Sequence, residues 1–140
     1  MELKFRVRDF SKTEFLLKKN NANFAENVTE IYAYLEGNKK LKKSKGKYYF
    51  GSVRRKGKFF ELRHRTVGKK KYDEIKKNYR VLKSVRNKRR VYKLNNCTVS
   101  LNQVKEGRFV IFEGNRRNIE KLAKNFGLKK SVTKTFGKIK

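Results

Sequence analysis

Residues 81–113, VLKSVRNKRRVYKLNNCTVSLNQVKEGRFVIFE, decide the fold. They divide into three extended runs, Val81–Leu94, Thr98–Val104 and Arg108–Glu113, separated by Asn95-Asn96 and Glu106-Gly107. Asn and Gly enter the left-handed backbone region at low cost, so such pairs turn a chain between strands. Three consecutive strands joined by tight turns form an antiparallel sheet. Alternate residues of a strand share a face. Thr98, Ser100 and Asn102 therefore point one way, and Phe109, Ile111 and Glu113 likewise lie together.

The same alternation recurs upstream. In MELKFRVRDF, Leu3, Phe5 and Val7 share one face, and Glu2, Lys4, Arg6 and Arg8 share the other. Further strands are expected over Val28–Leu35, Lys47–Arg55 and Lys58–Val67, the last two joined at Lys56-Gly57. Ser11-Lys-Thr-Glu14 reads as a capping box opening a helix through Phe15, Leu16 and Leu17. Asn115 caps an amphipathic helix with Ile119, Leu122, Ala123 and Phe126 on one face and Gly127 past its end. Lys69–Tyr79 is compatible with either a short helix or a loop. The basic run Lys39–Lys47 reads as a solvated hairpin or a phosphate-contacting arm. The expected class is α+β, an antiparallel sheet curled toward a barrel, because closure removes exposed edges.

The chain has 140 residues, no Pro and no Ser/Gly-rich linker, so one domain is expected over 1–128, followed by a basic tail over 129–140. Lys and Arg number 41 against 12 Asp and Glu, a net charge of +29. Charge on that scale, in a chain with 11 Phe and 7 Tyr to build a core, points to a folded partner of polyanions. No apolar run approaches the roughly 20 residues of a membrane-spanning helix, and the first ten residues lack a signal peptide's apolar region, so no membrane partner and a cytoplasmic location are expected. Cys97 is the only cysteine and His64 the only histidine. That argues against a disulfide partner and a zinc site.

Three segments resemble the CYTH, or triphosphate tunnel metalloenzyme, superfamily, which includes class IV adenylyl cyclases and thiamine triphosphatases. Glu2-Leu-Lys4-Phe-Arg6 is similar to the opening E-x-E-x-K strand with its first Glu missing. Val85-Arg86-Asn87-Lys88-Arg89-Arg90-Val91-Tyr92 is similar to V-x-K-x-R-x-x-Y. Leu101-Asn102-Gln-Val104, then Gly107-Arg-Phe109-Val-Ile111-Phe-Glu113, are similar to L-D-x-V followed by G-x-F-x-E-x-E. The resemblance implies a β-tunnel lined by carboxylates that hold divalent metals and by Lys and Arg that hold a triphosphate. Arg54, Arg63 and Arg65 are candidates for further tunnel arginines. Against the family pattern, an Asp has become Asn102, a Glu has become Ile111 and a Lys has become Asn87. Two-metal chemistry needs carboxylates around both ions, and of the motif carboxylates Glu2 and Glu113 remain.

These departures lead to the expectation of a non-catalytic RNA-binding protein without cofactor, bound to ribosomal RNA and neighbouring ribosomal proteins. The tunnel set, Glu2, Lys4, Arg6, Arg63, Arg65, Arg89, Asn102 and Glu113, is then vestigial. RNA phosphates are expected at Lys39, Lys40, Lys42, Lys43, Lys45 and Lys47, and at Arg54, Arg55, Lys69, Lys70 and Lys71. Arg86, Lys88, Arg90, Arg116 and Arg117 continue that set, and Lys129, Lys130, Lys134 and Lys138 complete it. The alternative is a metal-dependent triphosphatase or cyclase, for which Mg²⁺ would be the cofactor. Glu2 and Glu113 read as ion-pair partners of Lys4 or Arg89. His64 reads as a packed histidine, and Cys97 as an unreactive thiol. Tyr48-Tyr49-Phe50 and Phe59-Phe60 suit either base stacking or the core.

Overall fold

The computed structural model describes residues 1–139; Lys140, the last residue of the expected tail, lies outside them. Strand β1 (Glu2–Val7) leads through helix α1 (Ser11–Lys19) to β2 (Asn23–Leu35). After a single 3-10 turn at Glu36–Asn38 come β3 (Lys39–Ser44), β4 (Lys47–Lys56) and β5 (Phe59–Val67). Helix α2 (Lys69–Asn78) precedes the meander β6 (Val81–Leu94), β7 (Cys97–Val104) and β8 (Gly107–Glu113), and α3 (Arg116–Asn125) follows. The strands close in the order β1-β5-β4-β3-β2-β6-β7-β8, and every pair is antiparallel.

On β1, β3 and β7 the apolar face looks outward, and β8 carries apolar residues on both faces. Leu3, Phe5, Val99, Leu101, Val110 and Phe112 lie beneath Leu17 of α1 and Ile119, Leu122, Ala123 and Phe126 of α3. Ala33, Leu35 and Leu41 lie beneath Tyr72 and Ile75 of α2. Each such buried side chain stabilises the fold by about 1.5–3 kcal/mol. Much of the core therefore sits between barrel and helices, and the barrel interior combines polar groups with Phe60, Leu62, Phe109 and Ile111.

Two local expectations are corrected, and one left open is settled. Lys39–Ser44 is not an arm but a barrel strand, with Leu41 fully buried under α2. That adds an eighth strand to the seven expected. The capping box does not form. Phe10 occupies the cap position, and Asp9 Oδ1 accepts from the Ser11 amide at 3.0 Å. Lys69–Asn78 is a helix. The Asn115 cap forms as expected, its side chain accepting from the Asn118 amide at 2.8 Å.

Closure is uneven. β1 pairs with β8 from Glu2↔Glu113 to Val7↔Arg108, yet meets β5 only at Glu2↔Phe60. Beyond that point the β1 edge takes its partner from the C-terminal segment, whose Val132 amide donates to the Lys4 carbonyl at 2.7 Å. Residues 129–139 are therefore not a free tail. Phe136 and Ile139 are buried among Tyr32, Tyr34, Val85, Phe109 and Ile111, inside one end of the barrel. Gly137 is needed there, because a Cβ would lie 2.5 Å from the Tyr34 ring.

Candidate functional site: a charged tunnel closed by the chain's own C-terminal segment

Inward-facing residues enclose a cavity of about 270 Å³. Its walls carry three carboxylates, Glu2, Glu30 and Glu113, against Lys4, Lys40, Lys42 and Arg89. Alternation explains each placement. Glu30, Tyr32 and Tyr34 share the inner face of β2, and Lys40, Lys42 and Ser44 that of β3 across the register Glu30↔Ser44, Tyr32↔Lys42, Tyr34↔Lys40.

Arg89 is the hub. Its Nη2 donates to Glu113 Oε1 at 2.7 Å, and its Nη1 approaches Glu30 Oε1 at 3.5 Å. Burial alone would lower the guanidinium, but Glu113 and Glu30 raise its pKa. Glu30 is 4% exposed. Burial pushes its carboxyl up, but Arg89, Lys42 and hydrogen bonds from Tyr32 and Ser44 together hold it below the usual carboxylate range. Tyr32 Oη donates to Glu30 Oε1 at 2.6 Å and accepts from Asn87 Nδ2 at 3.1 Å. The same Asn87 amide donates to Asn102 Oδ1 at 2.7 Å, and Asn102 passes its own protons to Ser100 Oγ and the Ser100 and Phe109 carbonyls.

Lys4 and Lys40 behave differently. They are 4% and 7% exposed, yet neither forms an ion pair among the described residues. Lys4 Nζ lies 3.8 Å from the Phe136 ring centroid and 5.0 Å from that of Phe60. Lys40 Nζ lies 3.8 Å from the Tyr32 centroid and 5.4 Å from that of Tyr34. Aromatic faces attract a cation but replace its hydration only in part. Burial accordingly pushes both amines down to about 8. Burial and then Glu113 push Glu2 up to about 7. His64 is pushed down to about 4 by burial and by Lys40 and Lys42, so it is neutral near pH 7, and its Nε2 has no partner among the described residues.

The remaining expected residues divide by face. Lys40 and Lys42, expected on an external arm, are inside. Arg63 and Arg65, expected inside, are outside. Arg63 is exposed and bonds to Glu61 Oε1 at 3.3 Å, and Arg65 lies over Phe50 at 5.8 Å. Their neighbours Phe60, Leu62 and His64 line the cavity instead. Arg54, also offered as a tunnel arginine, is exposed on the same outer face, opposite Glu61 in the strand register. Arg6 stands exposed at the end of its strand, stacked over Phe109 at 4.9 Å and donating to the Glu106 carbonyl at 2.9 Å. Glu30 was missed, although its alternation with Tyr32 and Tyr34 was available as a signal. Lys43, Lys45, Lys47, Arg55, Lys69, Lys70, Lys71, Arg86, Lys88, Arg116, Arg117, Lys129, Lys130, Lys134 and Lys138 are exposed, and Lys39 and Arg90 partly so.

The aromatic runs resolve as core. Tyr48 packs on Tyr72 at 4.8 Å and Phe50 on Tyr79 at 5.8 Å, while Phe59 and Phe60 are buried. Cys97 is buried, which raises its thiol pKa. The metals that the resemblance implies do not suit this donor set. Arg89 already occupies Glu113 and Glu30, and isoleucine stands at 111. Among the described residues no three acids, histidines or cysteines converge.

No protein-family model and no curated protein matches the chain. Solved structures do. A protein of Pyrococcus horikoshii is 25% identical over 99% of this chain and 98% of its own, with a TM-score of 0.82. A candidate adenylate cyclase of Vibrio parahaemolyticus is 16% identical over 99% and 95%, with a TM-score of 0.75. A Hippeastrum protein with a dominant triphosphatase activity is 12% identical over 98% and 91%, with a TM-score of 0.61. With its eight antiparallel strands closed around a charged interior, the chain shares the fold of these structures, a closed tunnel of the kind that the CYTH resemblance implies.

Proposed function

We propose that this protein binds RNA through its outer surface and catalyses no reaction in its tunnel. The partition of charge carries the reading. Of the 12 carboxylates, Glu2, Glu30 and Glu113 face the cavity. Glu14, Glu26, Glu61, Glu106 and Glu120 are each ion-paired with a lysine or arginine. Most of the 41 cations thus form no ion pair among the described residues and lie outside the cavity, a surface suited to phosphates. Affinity for RNA should fall about 10³-fold or more between 50 and 200 mM salt if six or more phosphates are neutralised. A flat salt dependence would sink the reading. The ribosome is the proposed home, and sedimentation with ribosomal subunits before and after a high-salt wash tests it.

Absence of catalysis rests on the engaged carboxylates. Mg²⁺ or Mn²⁺ should stimulate no hydrolysis or cyclisation of ATP, thiamine triphosphate or tripolyphosphate. Turnover that disappears in Glu113→Gln would restore an enzyme. One observation favours a second reading. Lys4 and Lys40 are buried without ion pairs and line the cavity, which suits a small phosphate-bearing ligand once Phe136 moves aside. Calorimetric titration with tripolyphosphate tests it, and binding that survives in Lys4→Met/Lys40→Met would refute it.

A further inference from the structure

The helices leave one part of the barrel wall uncovered, the outer face of β2 and β6. α2 covers Ala33 and Leu35 at one end, while Leu101 on the neighbouring β7 lies in the core beneath α1 and α3. Between them the register sets Ile31 beside Arg86, Thr29 beside Lys88, Asn27 beside Arg90 and Phe24 beside Tyr92. Lys43 of β3 flanks Ile31 on its other side. Arg86, Lys88 and Arg90 thus stand at every second residue of one strand, about 6.6 Å apart along it. At the end of this row Phe24 is 57% exposed and meets the Tyr92 ring edge-on at 5.5 Å. Ile31 is 44% exposed, and Phe15 on the adjoining helix is 64% exposed. The nearby acids are spent: Glu14 holds Arg90 at 2.6 Å and Glu26 pairs with Lys45.

The Phe24–Tyr92 pair offers an exposed aromatic face, and the cations beside it select an anionic occupant with flat apolar groups. A duplex keeps its bases stacked inside and offers only phosphates. A single strand offers phosphates together with unpaired bases that stack on aromatic rings, each base contributing about 1–3 kcal/mol. We infer that the β2–β6 face is a binding platform for single-stranded RNA, in which Arg86 and Lys88 hold phosphates and Phe24, backed by Tyr92, stacks a base. This rests on the RNA-binding reading above and adds the surface and the form of RNA.

The test is fluorescence anisotropy at 150 mM salt with a labelled 12-nucleotide oligouridine and a 12-base-pair RNA duplex. Native protein should bind the single strand more tightly than the duplex. Phe24→Ala, an exposed change, should weaken single-strand binding about tenfold and leave duplex binding within twofold. Arg86→Gln/Lys88→Gln should lower the slope of log affinity against log salt by about 1.4, the loss of two phosphate contacts to a single strand. The control Lys129→Gln/Lys130→Gln removes the same charge elsewhere and should change that slope by less than half as much. If RNA binds but Phe24→Ala is silent and the two double variants are equal, or if the duplex is preferred, the platform is overturned while RNA binding stands. If neither RNA binds, both readings fall, and the face belongs to a protein partner.

Discussion

Gly51 is kept bare by its neighbour. A Cβ there would lie 1.8 Å from the Arg63 carbonyl oxygen and 2.6 Å from the His64 ring, so β4 and β5 would have to part. Gly51→Ala should destabilise the fold by about 1–3 kcal/mol in urea denaturation, an overpacking cost paid at backbone. The buried amines give a second prediction at this scale. Burial lowers Lys4 and Lys40 to about 8 from an ordinary value of 10.5. Between those limits the unfolded chain binds more protons, so stability rises with pH. Glu2, raised to about 7, has the opposite sign between 4.5 and 7, and His64, lowered to about 4, offsets it below 6.5. The buried phenols of Tyr32 and Tyr34, both raised, oppose the rise only above 10. Burial also raises the Cys97 thiol from its ordinary 9.0, which opposes the rise above that value, so between pH 8 and 9 the lysines act with least interference. The urea midpoint should climb over that interval, and Lys4→Met/Lys40→Met should remove the climb. A climb of equal size in the double variant would assign it to other groups.

Elements whose two faces differ sharply were legible in the sequence. β1, β7, β8 and α3 declare themselves because apolar and polar residues alternate at the strand or helix period, whereas the inward set Glu2, Lys4, Asn102 and Glu113 came from the family resemblance. What alternation cannot say is which face is the interior. On β1 the apolar face looks outward to helices, so Glu2 and Lys4 point into the tunnel rather than to solvent. β3 was illegible for a related reason. In Lys39–Ser44 a lysine inside and a lysine outside have the same letter, and only Leu41 marks the buried face. Arg63 and Arg65 were misplaced because Phe60, Leu62 and His64 do not look like a tunnel wall. The C-terminal segment was read as a tail because lysines outnumber its anchors, although Phe136 is 2% exposed. Phe136→Ala should cost about 3 kcal/mol and open that end of the barrel. Amine-labelling kinetics, read by peptide mass spectrometry, should then show faster modification of Lys4. A destabilised variant with unchanged Lys4 reactivity would mean that another group closes the tunnel.

Over the whole molecule, two electrostatic contributions compete, and they respond to salt with opposite signs. Ion pairs such as Lys56–Glu61 at 2.9 Å and Lys58–Glu120 at 3.5 Å lie at the surface, where each contributes little and weakens as salt is added. Repulsion among the excess cations, which leaves +29 in 140 residues, destabilises the compact state and is relieved by the same salt. Repulsion acts over distances comparable with the screening length, about 30 Å at 0.01 M and about 10 Å at 0.1 M, so nearly every cation feels many others. Pairing involves a handful of contacts of short reach. Repulsion should therefore decide the sign, and the melting temperature should rise between 10 and 300 mM sodium chloride. Each kcal/mol relieved corresponds to about 4 °C in a domain of this size. Single-stranded RNA at low salt should raise it as well, since a ligand of the folded state adds stability with its concentration. Calorimetric scans at matched pH separate the effects, because screening acts without RNA and binding fades as salt increases. A melting temperature that falls with salt in the absence of RNA would show that the ion pairs outweigh the repulsion. The cations would then be compensated within the fold rather than left for phosphates.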